Sequence, residues 1–218
     1  AISKGLIKIL NFLGICLIKE PANYDYDPSF MQSKGGIRFF YGGWHSEKYF
    51  SGSKDDILNA FEFKEETAPH VIDTIKIITN TNSVSIHVRR GDYLSAINMA
   101  TFGSVCSKDY FTKAIEEIYT LVDNPHFFVF SNDVDWVKEN FNLTNLTVID
   151  YNKGIDSWKD LMLMSCCKHN INSNSSFSWW GAWLNNNDNK TVIVPKFFIN
   201  NLITKDIYPV SWLQLKDY

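Results

Sequence analysis

Beyond residue 80 the spacing of apolar positions switches back and forth between two periods. Val84, Ile86 and Val88 alternate with Ser85 and His87, the two-residue period of a strand over 84–88. Phe111, Ala114, Ile115, Ile118 and Leu121 then recur at three- and four-residue intervals, which predicts an amphipathic helix over 108–121. The same reading gives strands at 126–130, 148–150, 170–172 and 192–194, with helices at 134–141, 157–167 and 176–184 between them. Strict strand–helix alternation predicts a doubly wound parallel sheet with right-handed crossovers. Such a sheet takes its ligand at the C-terminal ends of its strands.

Residues 1–50 carry no such alternation, and Gly35-Gly36 and Gly42-Gly43 punctuate them as turns. The apolar run 6–18 is broken by Lys8 and Asn11 and falls short of the ~20 residues of a membrane span, so it reads as a strand or helix of a cropped first domain. The charged stretch 54–66 reads as a helix with solvated charges, and Pro69 with the polar run 79–83 suggests a domain boundary within 70–83. The expected division is a partial N-terminal domain and linker at 1–75 and a Rossmann-like domain at 76–218.

The chain's 218 residues and 45% hydrophobic content are enough for one full domain and part of another, and exclude a disordered chain. A net charge of −3 gives no broad attraction to nucleic acid or an anionic membrane, so any anion must be bound locally. Cys16, Cys106, Cys166 and Cys167 lack the spacing of a zinc site or disulfide scaffold, which suggests reduced thiols and a cytoplasmic protein, peripheral association with the inner membrane being left open. Oligomeric state is not legible.

The chemistry concentrates at predicted strand ends. Arg89 and Arg90 follow the strand that ends at Val88 and bring two forked cations there. Being adjacent, they should face opposite ways, so Arg90 is as readily a structural ion-pair partner as an anion ligand. Asp133 follows the next strand, and with Asp135 it forms an Asp-x-Asp element. Ser175 and Ser176 open the helix after Asn172, where free backbone N–H groups suit a phosphate. Of Trp179, Trp180 and Trp183 at least two are expected in the core.

Taken together, His87-x-Arg89-Arg90-x-Asp92-Tyr93, the segment 128–137 and the segment 174–183 resemble the α-1,2-fucosyltransferases, glycosyltransferase family 11. The stretch 43–50 is similar to that family's link between two domains. The glycine-rich element with which such enzymes usually open does not occur in this sequence, so the chain reads as lacking part of its first domain. The resemblance implies an α/β, glycosyltransferase B-type fold and inverting transfer of fucose from GDP-fucose to the 2-hydroxyl of a galactose-containing glycan, with neither metal nor cofactor. It further implies Arg89 on the β-phosphate with Arg90 assisting, His87 on the nucleotide, Ser175 and Ser176 as the phosphate cradle, and Asp133 on guanine. Asp92 is the candidate general base, with a pairing to Arg89 or Arg90 as the other reading. A nucleotide-binding module without turnover, a transferase of different linkage and a lectin-like protein are the competing classes.

Overall fold

The computed structural model describes residues 9–10, 12–31, 36–64 and 68–218. Two compact units are present: Ala1–Gly52 with Ile203–Pro209, and Ser53–Leu202 with Val210–Tyr218. The chain thus first passes between units at residues 52 and 53, upstream of the boundary expected from composition, and crosses again at 202/203 and 209/210.

In the first unit, β1 (Ile15–Lys19) pairs in parallel with β2 (Ile37–Tyr41). Positions 6–8 and 11 of the apolar run 6–18 lie outside the described residues; its last four positions fall in β1. The Glu20 carboxylate is buried and accepts hydrogen bonds from the Gly43 and His45 amides at 2.8 and 2.6 Å. His45 Nδ1 lies 3.1 Å from the same carboxylate, and its ring stacks on Tyr24 at 3.9 Å. A Cβ at Gly43 would come within 2.2 Å of that ring, so only glycine lets the strand end close on it.

The second unit is built on a six-stranded parallel sheet in the order β5-β4-β3-β6-β7-β8. Its strands are β3 (Asn82–Val88), β4 (Pro125–Ser131), β5 (Leu146–Ile149), β6 (His169–Ile171), β7 (Val192–Val194) and β8 (Leu213–Gln214). The longer helices are α1 (Lys54–Ala60), α2 (Pro69–Asn80), α3 (Lys108–Leu121), α4 (Val134–Asn140), α5 (Trp158–Cys166) and α6 (Ser176–Trp183). From β3 to β7 the observed alternation follows the periodicity within two residues at each end.

β4 shows why both faces of the sheet are covered. Phe127 and Val129 pack with Val84, Ile86 and Val88 of β3 and with Tyr110, Phe111, Ala114 and Ile118 of α3. Phe128 and Phe130 point the other way, to Val71 and Ile78 of α2 and Met162, Leu163 and Met164 of α5. An uninterrupted apolar strand is what a doubly covered sheet requires.

The region expected to be a linker contains α2, which belongs to the sheet-bearing unit. Pro69 sits at its first turn, and Val71, Thr74 and Ile78 form its buried face. Proline there is a helix start signal as well as a breaker, and the polar run 79–83 only ends the helix and begins β3. The charged helix expected over 54–66 is the shorter α1, which stops at Phe61. Residues 65–67 lie outside the described residues.

One polar network lies inside the sheet layer. Asn170 is fully buried; its Nδ2 donates to Ser85 Oγ at 2.7 Å and to the Met164 carbonyl at 2.9 Å, and its Oδ1 accepts from Asn185 Nδ2 at 2.8 Å. Asn170→Ala takes the donor from buried Ser85 Oγ and removes one bond each from the Met164 carbonyl and Asn185 Nδ2, which keep Cys167 as a partner. The expected cost is about 2 kcal/mol of unfolding free energy. Chemical denaturation measures it, and an unchanged midpoint would show that the network relaxes without loss.

Candidate active site

β3 presents its even and odd residues to opposite layers. Val84, Ile86 and Val88 enter the core beneath α3, whereas Ser83, Ser85 and His87 form a buried polar row on the other face. Ser83 Oγ accepts from the Lys168 amide at 3.0 Å and Ser85 Oγ from Asn170. His87 Nδ1 meets Ser173 Oγ at 2.8 Å, just past the end of β6. Burial first, and the charge of Arg89 second, hold the imidazole pKa at about 3, so His87 is neutral at physiological pH.

Two residues on, at the strand's end, the same alternation brings Arg89 to a cleft of about 670 Å3 shared with His87. The cleft continues past the end of β4 at Ser131, Asn132 and Asp133 to the segment after β5, where Asn152, Ser157 and Asp160 line it. Phe177 of α6 contributes its ring. The lining thus spans the ends of three adjacent strands, a reach of about 10 Å at one strand spacing per step.

The two arginines diverge, as adjacent residues at a strand end should. Arg89 Nε lies 2.8 Å from Asp92 Oδ1, and its side chain is about one-third exposed. Arg90 turns to Asp133, with Nε to Oδ2 at 3.0 Å, and its guanidinium stacks over Trp136 at 4.4 Å. Asp133 also caps α4, its Oδ1 accepting from the Trp136 amide at 3.2 Å. Both Asp133 oxygens are therefore engaged by the protein although the residue lines the cleft. Among the described residues no group of three or more His, Cys, Asp and Glu side chains is placed to hold a metal ion.

Gly91 allows the arginine loop to close on the next strand end. A Cβ there would meet Asn132 Nδ2 at 2.4 Å, and Asn132 Oδ1 accepts from the Arg90 amide at 3.0 Å. The loop is also tied to the start of α6, because Tyr93 Oη donates to the Asn174 carbonyl at 3.0 Å.

α6 begins at the expected place. Ser175 is its N-cap, buried, with Oγ accepting from the Phe177 amide at 3.3 Å, and Ser176 is exposed in the first turn. Neither hydroxyl is among the groups that line the cleft; Phe177 is the α6 residue that does so. Trp179 and Trp183 are in the core, as expected of at least two of the three tryptophans.

Sequence reading missed Asp160. It occupies the first turn of α5 and accepts from Asn152 Nδ2 at 2.8 Å. Burial, only partly offset by that bond, pushes its carboxyl up to about 6. An acid in a helix's first turn is ordinarily a dipole-matching surface residue, so the sequence signal was ambiguous. Its burial depends on the neighbouring segment 152–157, which follows another strand.

These features define an α/β protein with a cleft of mixed charge at the C-terminal ends of a parallel sheet. The chain belongs to glycosyl transferase family 11, whose family model matches residues 24–216. It is 34% identical over 189 residues to an alpha-1,2-colitosyltransferase of Escherichia coli, covering 84% of this chain and 64% of the relative. With the O-antigen biosynthesis glycosyltransferase WbnK of Escherichia coli the identity is 37% over 192 residues, covering 85% of this chain and 63% of WbnK. A galactoside alpha-(1,2)-fucosyltransferase 1 from Leontocebus fuscicollis is 34% identical over 116 residues, 52% of this chain and 31% of that protein. The chain thus spans less than two thirds of the length of each of these relatives. The family read from the three motifs is borne out. Among the described residues no helix is long and apolar enough to cross a membrane.

Proposed function

We propose that the protein transfers fucose from GDP-fucose to the 2-hydroxyl of a galactoside, with inversion and without a metal ion, within a glycosyltransferase B-type arrangement. The observation that carries this reading is the cleft with a forked cation at one strand end and a half-buried, hydrogen-bonded carboxylate two strands away. That span of about 10 Å suits the diphosphate and the base of one nucleotide. The relatives' names support the linkage, since two of them specify α-1,2 transfer.

In this reading the bond between the sugar's anomeric carbon and the β-phosphate oxygen breaks, and its electron pair stays on the diphosphate. The acceptor oxygen attacks the opposite face and, in a loose transition state that needs little base assistance, gives up its proton to water. The transition state places negative charge on the leaving phosphate, where Arg89 stabilises it by bidentate, charge-assisted hydrogen bonds. Asp92 acts through Arg89 by fixing its orientation at 2.8 Å. The metal-independent reading is supported by Asp133, whose oxygens serve Arg90 and the α4 cap. For the same reason guanine recognition moves from Asp133 to Asp160: guanine N1–H and its exocyclic amine are both donors, and Asn152 engages only one Asp160 oxygen. Neutral His87 leaves Nε2 for the nucleotide, and the first turn of α6 lends backbone N–H groups to the phosphates.

A colitosyl donor is the second reading, favoured by the name of the relative that covers 84% of this chain. Isothermal titration of GDP, ADP and UDP, followed by turnover assays with the two GDP-sugars, tests the proposal. GDP is expected to bind selectively and insensitively to chelator. Absence of GDP selectivity would overturn the donor assignment, and GDP binding without turnover of either sugar would make the chain a binding module.

A further inference from the structure

A second cleft, of about 450 Å3, lies beyond the ends of β7 and β8, at the same end of the sheet as the donor cleft, and the two share no lining residue. Lys196 and Phe197 come from the segment after β7, and Lys216, Asp217 and Tyr218 from the segment after β8. Among the described residues neither Lys196 nor Lys216 has a carboxylate within ion-pair distance, although Asp217 lines the same space.

Its walls are fixed by the backbone. The Lys196 amide donates to Tyr218 Oη at 3.2 Å, and Gln214 Nε2 donates to the Lys196 carbonyl at 2.9 Å. The Tyr218 ring rests on buried Tyr110 with centroids 5.1 Å apart. Beside the lining residues, Asn174 Nδ2 donates to the Phe102 and Phe198 carbonyls at 3.1 and 3.0 Å, joining the loop after β3 to the segment after β7. Asn200 repeats that clamp, its amide donating to the Thr101 carbonyl at 2.8 Å and its Nδ2 to the Met99 and Ala100 carbonyls at 2.9 and 3.0 Å.

We infer that this cleft is a saccharide subsite, which holds a neutral sugar unit of the acceptor glycan beyond the galactose that is modified. The inference rests on the transferase reading above and deepens it. The chemical reason lies in the mixture of groups. Every sugar hydroxyl both donates and accepts, so it is matched by interleaved ammonium donors, the Asp217 carboxylate and the Asn201 amide, with the Phe197 and Tyr218 rings to cover an apolar sugar face. An anion would find two lysines but would be repelled by Asp217. The volume lies within the ~300–1,000 Å3 of small-molecule clefts. The loop that the clamps hold is the one leading away from Arg89 and Asp92, and β7 stands two strands from β3 in the same sheet, about 10 Å at one strand spacing per step.

The test titrates lactose and a neutral galactose-terminated tetrasaccharide separately into the whole chain, with and without GDP. The longer sugar is expected to bind about fivefold more tightly, the effect of one or two added hydrogen bonds. Lys196→Ala combined with Asp217→Ala, two exposed side chains, should erase that advantage while leaving lactose and GDP affinities unchanged. Equal affinity for the two sugars in the parent, or an advantage that survives in the double variant, overturns the inference. Binding of inorganic sulfate here without binding of the tetrasaccharide also overturns it, in favour of an anion site. Failure of GDP to bind while the sugar discrimination and its loss in the variant persist removes the donor reading and leaves the saccharide subsite standing.

Discussion

Replacing Arg89 by alanine should lower the rate of glycosyl transfer roughly a thousandfold, the scale at which a preorganised charge stabiliser acts on a developing oxyanion. The fold should survive, because the Arg89 side chain is about one-third exposed and pairs with the half-exposed Asp92. An unchanged thermal midpoint together with single-turnover rates establishes the effect; activity within a few-fold of the parent would remove Arg89 from the reacting centre. Asp92→Asn is the control that separates positioning from proton transfer. The asparagine Oδ1 can still accept from Arg89 Nε, so a positioning role predicts a loss of only about tenfold, whereas removing an essential base costs ~100-fold or more. Arg90→Ala should behave differently again, since it breaks the pair with Asp133 and uncovers Trp136, and it should lower stability along with activity.

Asp160→Asn should strengthen the empty protein and weaken it toward guanine nucleotides. The Asp160 carboxyl is held at about 6 in the folded chain, above the ~3.9 of an unperturbed aspartate. A raised carboxyl pKa contributes stability that is fully present below the unfolded value and is lost as pH rises through the folded one. Ionised Asp160 therefore costs the fold on the order of 2 kcal/mol at pH 7. Asparagine removes that cost and should raise the thermal midpoint by about 5 °C at neutral pH, with the gain vanishing below pH ~4. GDP affinity should fall at least ~10-fold, because one amide oxygen replaces an anion facing two guanine donors. Parent GDP affinity should weaken as pH drops through about 6 and that of the variant should not. Equal losses for GDP and UDP would assign Asp160 to some part of the ligand other than the base.

The relation between these two residues also explains what could be read in advance. Arg89 was legible because a two-residue period places it on the face of His87, and a strand end in an alternating α/β chain points at the ligand. Asp160 was not, because its first-turn position in α5 is where any helix favours an acid, and only the packing of 152–157 against it excludes water. Asp133 illustrates the converse. Its place after β4 puts it at the cleft, yet its partner Arg90 comes from a chain segment whose approach no local pattern specifies.

The sequence by itself determined the order of strands and helices from β3 to β7, the strand ends that meet at the cleft and the family. Each depends on residues within a turn or two of one another, or on short motifs read directly. Tertiary structure alone decided that 69–80 is a core helix rather than a linker, that Asp133 is paired with Arg90, and that Asp160 is a half-buried carboxylate with a raised pKa. Burial and charge pairing are set by groups far apart in the chain, and the energy of a charge depends on its surroundings in space rather than on its neighbours in sequence.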